Sequence, residues 1–216
     1  MALLGSAAMV LSFDIDPAAA HEHDDWHSRE HLPERLAIPG FLRGSRWTAL
    51  DGSPRYLVLY EVADIDVLGS APYLQRLNNP TPWTQKMMKS YRGMRRGFCR
   101  VVASCGAGLG GSALLLRFAP APEREATLRA WLVERALPAL ADLAGIASAH
   151  LLHAAGTPAM TAEQRIRGRD TDFGWLLLAT GYRVQPVLQF GSQFVEHGAL
   201  EAPHATSYSL ECLLGN

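Results

Sequence analysis

Four of the eight histidines in the chain lie within the eleven residues "HEHDDWHSREH", from His21 to His31. On a continuous helix His23, His27 and His31 recur every four residues and therefore line one stripe of its surface. A neutral imidazole titrates near physiological pH and can move a proton on a bound phenol or enol. The pattern predicts His31 as a catalytic acid or base supported by His27. His21 and His23, which lie among acidic residues, are expected to be solvated residues of the first turn.

A metal site is the competing interpretation of the same stripe. His27 and His31, together with a carboxylate such as Glu30, could bind zinc or iron, as helical histidine pairs at this spacing do. However, the glutamate of an HExxH motif is missing, no third ligand is fixed by spacing, and Pro33 disturbs the helix after His31. We therefore expect the protein to use no metal and no other cofactor. A histidine-ligated metal or haem protein is kept as an alternative, ranked below a non-catalytic binding protein.

Aromatic residues on a predicted strand could orient a ligand. In "RYLVLYEV" Tyr56 and Tyr60 alternate with Leu57 and Leu59, so that the two sets face opposite sides of the strand. The aliphatic side is expected to meet the helices, which turns the tyrosines toward a ligand space with their hydroxyls as hydrogen-bonding groups. Further ligand-binding candidates are Glu30, Arg46, Trp47 and Trp83. Alternation allows only one of Arg46 and Trp47 to face the ligand.

The composition excludes several classes of partner. The chain has 216 residues, of which 48% are hydrophobic and 19% are charged, a balance typical of a folded globular protein. Its formal net charge of −1 gives no basic surface for nucleic acid or anionic membranes. Cys99, Cys105 and Cys212 match neither a disulfide framework nor a zinc spacing, and suit a reducing compartment. The expected partner is therefore a small molecule, and a homodimer is left open. The protein is expected in the cytoplasm.

An internal repeat organises the chain. Shifting the sequence against itself by 105 residues, without a gap, aligns eight identical residues between positions 7 and 47. The matched pairs are Ala8/Ala113, Leu11/Leu116, Phe13/Phe118, Pro17/Pro122, Trp26/Trp131, Leu32/Leu137, Pro33/Pro138 and Gly40/Gly145. We interpret the chain as a tandem duplication with halves at 1–104 and 112–216, joined by a glycine-rich linker at 105–111. The paired tryptophans are expected to anchor the core, and the paired prolines to kink a helix.

Each half has the same predicted order of elements, βαββαβ. Half one gives strands near 8–15, 43–50, 55–62 and 98–104, with helices near 18–37 and 82–93. In half two the strands are expected at 113–119, 147–154, 173–182 and 206–214, and the helices at 124–143 and 185–197. This order is the ferredoxin-like split βαβ unit, an α+β fold. Two such units can cover each other sheet to sheet, which leaves room for a small ligand between the sheets.

The motifs of half one bring a family into view. They are the W-x4-H-x-P pattern of Trp26, His31 and Pro33, the "IPGF" after it, and the pair Arg46 and Trp47. Over roughly the first hundred residues the sequence resembles the EthD-like branch of the dimeric α+β barrel superfamily. The resemblance implies that this chain forms, by tandem fusion, the barrel that relatives form from two chains. It also implies an aromatic or polyketide-like ligand, since the superfamily includes cofactor-free cyclases, isomerases, decarboxylases and monooxygenases.

Half two departs from the motif at its polar positions. The counterparts of His27, Glu30 and His31 are Leu132, Arg135 and Ala136, although the scaffold residues beside them are kept. Loss of the polar set from one copy favours a chemical role for it in the other, so we predict cofactor-free acid–base chemistry on a small molecule. A non-catalytic ligand-binding barrel is the alternative.

Overall fold

Eight antiparallel strands close into a barrel. A computed structural model describes residues 2–156, 160–168, 170–196 and 201–215. The strands are β1 (Ala7–Ile15), β2 (Phe41–Ala49), β3 (Tyr56–Val62), β4 (Tyr91–Gly106), β5 (Ser112–Ala119), β6 (Ile146–Ala154), β7 (Trp175–Gly181) and β8 (Glu201–Gly215). Their order around the barrel is β1-β3-β2-β8-β5-β7-β6-β4. Every strand therefore has two neighbours, and no sheet edge is left unpaired.

The barrel consists of two four-stranded sheets with the same internal order. Half one contributes the sheet β4-β1-β3-β2, and half two contributes the sheet β8-β5-β7-β6. In each half, therefore, the fourth strand lies beside the first, followed by the third and then the second. The sheets join where β2 pairs with β8 and where β4 pairs with β6. This arrangement confirms the predicted α+β fold, two ferredoxin-like units that form an α+β barrel within one chain.

Helices cover the outside of both sheets. They are α1 (Ala20–Trp26), α2 (Leu32–Leu36), α3 (Ala71–Asn78), α4 (Pro82–Met88), α5 (Glu125–Trp131), α6 (Leu137–Ala141), α7 (Ala162–Arg167) and α8 (Val184–Glu196). A π turn joins α1 to α2 at His27–His31, and a second joins α5 to α6 at Leu132–Ala136. The continuous segment from Ala20 to Leu36 is called the histidine helix below.

At the two prolines that were predicted to kink a helix, Pro33 and Pro138, the structure has a π turn directly before the proline. In half one Leu32 N–H donates to the carbonyl of His27, five residues back, and Pro33 follows directly. Proline has no N–H to donate and crowds the preceding turn, so a widened turn before it removes the clash and lets the helix continue. Leu137 donates to Leu132 in the same way ahead of Pro138.

Some helices differ from the predicted ones. The helix α4 begins at Pro82, as predicted, and the Thr81 side chain caps it. The predicted end near residue 93 was wrong, because the chain turns at residues 89–90 and β4 begins at Tyr91, a buried residue that pairs with Ile15. A 3-10 turn (Ile65–Gly69), α3 and α7 were not predicted. Residue 197, the last of the helix predicted at 185–197, lies outside the described part of the chain.

The core has three layers. A barrel interior contains buried side chains from both halves, including Trp47, Leu57, Leu115 and Leu178. Outside it, one apolar layer fills the space between the half-one sheet and its helices, and another does the same in half two.

The predicted boundaries at 104 and 112 remain predictions. β4 continues into the expected linker as far as Gly106, and β5 begins at Ser112. Among the described residues, no helix is both long and apolar enough to cross a membrane.

Candidate functional site

The three histidines of the stripe, His23, His27 and His31, lie in a row beneath the histidine helix, against the half-one sheet. This row is called the histidine stack below. The ring centroids of His23 and His27 are 5.6 Å apart, and those of His27 and His31 are 5.5 Å apart. Their exposed fractions are 0%, 2% and 7%, in chain order. The predicted stripe is therefore present, but it is buried rather than solvated.

The expectation of a solvated His23 was wrong, whereas His21 is exposed. A 3-10 turn at Pro17–Ala19 precedes α1, so His23 lies beyond the first turn and points toward the sheet. Its ring lies 4.7 Å from the Tyr56 ring, and its Nε2 is 3.3 Å from the Tyr91 hydroxyl. Of the neighbouring acidic residues, Asp25 is exposed, whereas Asp24 Oδ1 lies 3.2 Å from His23 Nδ1. Acidic neighbours in the sequence therefore did not indicate which side of the helix His23 occupies.

Two ring nitrogens in the stack have no partner. His27 Nε2 lies 3.5 Å from the Tyr60 hydroxyl, at the outer limit of a hydrogen bond. Nδ1 of His27 and Nδ1 of His31 are buried and make no hydrogen bond with any residue in the described part of the chain. Buried polar atoms are normally paired because leaving one unpaired costs about 1–3 kcal/mol. The two nitrogens are therefore available to a bound molecule or to water.

Burial keeps the stack uncharged. It lowers the pKa of His27 and of His31 well below 6.5, and neighbouring side chains add to the effect, His23 before Arg46 at His27 and chiefly Arg35 at His31. The pKa of His23 is also lowered by burial, although Asp24 opposes the shift. At neutral pH each ring is a neutral imidazole with one donor and one acceptor.

Tyr56 and Tyr60 contact the histidine stack under the helices rather than in the space between the sheets. Tyr56 and Tyr60 were predicted to face the space between the sheets, and this was wrong: both side chains belong to the layer under the helices. Leu57 and Leu59 face the barrel interior instead. Burial raises the pKa of Tyr56 to about 12, and the nearby Asp24 carboxylate adds to the effect, so its phenol is neutral. Its buried hydroxyl makes no well-aligned hydrogen bond with the described residues.

Two buried guanidinium groups border the stack. Arg46, on β2, donates from Nη1 to the Asp24 carbonyl at 2.9 Å, and its Nε has no partner. Arg35, on α2, donates from Nη2 to both carboxylate oxygens of Glu163, while its Nη1 has no partner. Trp47 takes the opposite face of β2 and lies in the barrel interior, which confirms that Arg46 and Trp47 do not share a face.

Two other predicted ligand-binding residues connect helices to one another. Glu30 accepts hydrogen bonds from Trp26 Nε1 at 3.2 Å and from the hydroxyl of Thr81, the cap of α4. Trp83 Nε1 donates to Glu22 at 3.2 Å, so it lies between α4 and α1 rather than between the sheets. Both contacts hold the histidine helix in place over the sheet.

The corresponding layer of half two is apolar. At the 105-residue offset, the three stacked histidines are replaced by Leu128, Leu132 and Ala136. Phe13 pairs with Tyr56 and Phe118 with Trp175, while Met9 pairs with Tyr60 and Leu114 with Ala179. The sheet register therefore places Trp175 and Ala179 where half one has its two tyrosines. The polar group is a property of half one alone.

The arrangement of possible metal ligands is sparse. Among the residues that the structure describes, no three histidine, cysteine, aspartate or glutamate side chains are grouped so as to hold a metal ion. His23 Nδ1 lies 3.2 Å from the Asp24 carboxylate, and its Nε2 faces the Tyr91 hydroxyl. His27 Nε2 faces the Tyr60 hydroxyl.

Sequence reasoning missed the contribution of half two to this site. Glu163 lies on α7, which follows β6 and packs over α3 and α4 of half one. The sequence contained a signal for this helix, since "TAEQ" at 161–164 is a capping box, with Thr161 and Gln164 bonded reciprocally. Tyr91 was missed because the residue was assigned to the end of a helix.

The fold and site together define an α+β barrel in one chain, with a buried polar cluster under the helices of its first half. No protein-family model matches the chain, and no curated protein does. Among solved structures, it is similar to an anthrone oxidase-like protein (10% identity, TM-score 0.66), with 100% of this chain and 95% of the other covered.

A putative monooxygenase from Fusobacterium nucleatum is similar at 7% identity and TM-score 0.64, with 99% and 96% of the two chains covered. Chlorite dismutase from Candidatus Nitrospira defluvii, solved with imidazole, is similar at 10% identity and TM-score 0.58, covering 97% and 92%. At such low identities the likeness shows the fold alone.

Proposed function

We propose that half one binds a small aromatic or polyketide-like molecule against the histidine stack and carries out cofactor-free acid–base chemistry on it. The observation that carries the proposal is the pair of buried, unpartnered nitrogens, Nδ1 of His27 and Nδ1 of His31. With the buried hydroxyl of Tyr56, they form a set of hydrogen-bonding groups within a largely apolar layer. The ligand site is accordingly placed under the helices instead of between the sheets.

The walls of this layer suit a flat, unsaturated ligand. His31 lies 4.3 Å from the Trp26 ring, and Phe13 stacks on Tyr56 at 5.5 Å. Aromatic rings pack favourably in offset or edge-to-face contact, so an aromatic ligand would extend the contacts that these rings already make with one another. A phenol or enol would add the hydroxyl that the unpaired imidazole nitrogens need.

The charges favour removal of a proton from the ligand. A neutral His31 can accept the proton of a phenol or enol, with His27 beside it as a second acceptor. The unpaired N–H groups of Arg35 and Arg46 can then stabilise the resulting oxyanion in a site from which water is largely excluded. Removal of a proton to give a substrate anion can begin isomerase, cyclase and cofactor-free monooxygenase reactions, and in a decarboxylation the same acid–base group can protonate the anion left when CO2 departs.

A non-catalytic binder is the second candidate, and the lowered pKa of the stack favours it. An imidazole whose pKa is well below 6.5 is a weak base, so His27 and His31 could hold a ligand by hydrogen bonds without taking its proton. Turnover, rather than binding, separates the two candidates.

We further propose that the chain is a tandem duplication related to the EthD-like branch. The matched strand order and the two π turns at the same offset support the duplication. The W-x4-H-x-P pattern around His31 supports the branch.

The test uses anthrone, because one similar structure is an anthrone oxidase-like protein. Binding is measured by calorimetry and turnover by oxygen uptake, for the wild type and for His31→Ala, which copies Ala136 of half two. We expect turnover to fall by about a hundredfold or more, the scale of one lost proton-transfer group. Unchanged turnover in His31→Ala would contradict the catalytic role.

His150→Ala is the matched control. His150 is also fully buried, but both of its ring nitrogens are paired, with Ser104 at 2.8 Å and Ser148 at 3.0 Å. It should lose stability while anthrone binding and turnover per folded molecule stay unchanged. Binding that His31→Ala abolishes, in a protein without any turnover, would favour the binder.

A further inference from the structure

A second polar site lies at one mouth of the barrel, on the opposite side of the sheet from the histidines. Arg95, Arg117 and His204 stand on β4, β5 and β8, and strand alternation places them on the interior faces with Cys99, Leu115 and Tyr208. Arg117 and His204 are directly opposite each other across the β5–β8 ladder. Together they line a pocket of about 170 Å³, closed on one side by Phe173 and Gly174.

The pocket has an excess of positive charge. The Arg117 side chain is half-buried and makes no hydrogen bond or ion pair with the described residues. Burial and the neighbouring Arg95 lower its pKa. Burial, Arg117 and Arg95 lower the pKa of His204 as well. Like charges this close repel each other, and an anion between them would relieve the repulsion.

The facing groups leave this charge largely uncompensated. Asp172 is the acidic residue of the pocket lining, and its Oδ1 accepts from the Phe173 N–H at 2.7 Å. Arg95 donates to the Asp172 main-chain carbonyl at 3.4 Å, not to its carboxylate. Tyr208 is neutral, because burial raises its pKa to about 12.

Two buried donors on the same interior faces are also unsatisfied. Ser12 pairs across the β1–β4 ladder with Arg95, and its hydroxyl has no partner. The Tyr208 hydroxyl, on the same face of β8 as His204, has none either. Among the described residues, the barrel mouth thus has two arginines and a histidine beside a single carboxylate, Asp172, and His204 Nδ1 lies 3.4 Å from the Thr206 hydroxyl.

We propose that Arg95, Arg117 and His204 form a binding site for a small oxyanion, a carboxylate or a phosphate. Arginine matches the planar or tetrahedral oxygens of these groups through parallel N–H donors. The pocket is smaller than the roughly 300–1,000 Å³ of drug-sized ligand sites, so the anion is a small molecule or the terminus of a longer one. The site is independent of the chemistry proposed for the histidine stack.

The experiment follows the His204 ring by NMR while inorganic phosphate is added at constant ionic strength. Bound phosphate should raise the pKa of His204 and shift its resonances in a saturable way, with a dissociation constant near 1 mM, the range of a weak single-ion site. Malonate and acetate are titrated in the same way. A saturable response to the carboxylates alone would assign the site to carboxylate ligands, and one to phosphate alone to phosphate ligands.

Arg117→Gln should weaken the saturable response at least tenfold, and Arg117→Lys should weaken it less. Arg100→Gln is the charge-matched control, since Arg100 is exposed farther along β4, where it pairs with Ala7 and His153. It should bind the anion like the wild type. A His204 shift that sodium chloride reproduces, or that Arg117→Gln leaves intact, would overturn the proposal.

Discussion

Arg35 and Glu163 join the two halves through a buried ion pair, with Nη2 of Arg35 lying 2.6 and 2.7 Å from the two carboxylate oxygens. The residues are 128 positions apart, and their side chains are only 2% and 3% exposed. Through this contact α7 of half two fixes the end of the histidine helix. The pair thus couples the candidate site of half one to the folding of half two.

Removing one partner of this pair should be strongly destabilising. Glu163→Gln leaves the Arg35 guanidinium buried without a counter-charge, and we expect a loss of about 3–5 kcal/mol in the free energy of unfolding. Urea denaturation measures this loss. The control is Glu34→Gln, which breaks the more exposed pair with Arg76 and should cost no more than about 1 kcal/mol. Equal effects would contradict the coupling.

The stability of the protein should fall as the pH drops below about 6.5. The pKa values of His23, His27 and His31 are lowered in the folded state, whereas unfolded histidine titrates near 6.5. Below that pH the unfolded chain binds more protons than the folded chain, so protonation favours unfolding. Each buried imidazole contributes a slope of up to about 1.4 kcal/mol per pH unit.

Denaturation between pH 6.5 and about 5 isolates this effect, since most carboxyl groups titrate lower. His27→Leu copies Leu132 of half two and should reduce the slope by up to one histidine's share. His21→Ala, at an exposed position, controls for the loss of a histidine as such. A slope that His27→Leu does not change would count against a neutral stack.

Gly40 should tolerate no side chain. Its φ of +90° is unfavourable for other residues, and a Cβ there would lie 2.5 Å from Val67 Cγ2. Gly52 has a φ of +75° but open space around it, so Gly52→Ala measures backbone strain alone. We expect Gly40→Ala to cost about 1–3 kcal/mol more than Gly52→Ala, the usual penalty of overpacking. Adding Val67→Ala to Gly40→Ala should recover most of the difference in thermal or urea unfolding.

Cys99 should resist thiol reagents until the protein unfolds. It is completely buried in the barrel interior, and burial raises its pKa to about 12, so the reactive thiolate is suppressed. Cys105 and Cys212 are partly exposed. Ellman's reagent should therefore titrate two thiols in the native protein and three in denaturant, with the third absent from Cys99→Ala. Rapid reaction of three thiols under native conditions would disprove this prediction.

The sequence by itself determined the order of the eight strands and the alignment of the histidine stripe. Alternating apolar residues and the 105-residue repeat gave the two βαββαβ units, and Thr81-Pro82 gave the start of α4. These features could be predicted because they depend on local periodicity and capping, which neighbouring residues in the chain decide. The four-residue spacing likewise aligns His23, His27 and His31 in any helical context.

Only the tertiary structure decided which way the site faces. All seven residues of β3 are buried, because the barrel covers one face of the strand and the helices cover the other. Alternation of Tyr56 and Tyr60 with leucines therefore shows two faces but does not say which is which. The burial of His23, the pairing of Arg35 with Glu163 and the meeting of Arg95 with His204 join distant parts of the chain. Such contacts follow from packing, and no local pattern encodes them.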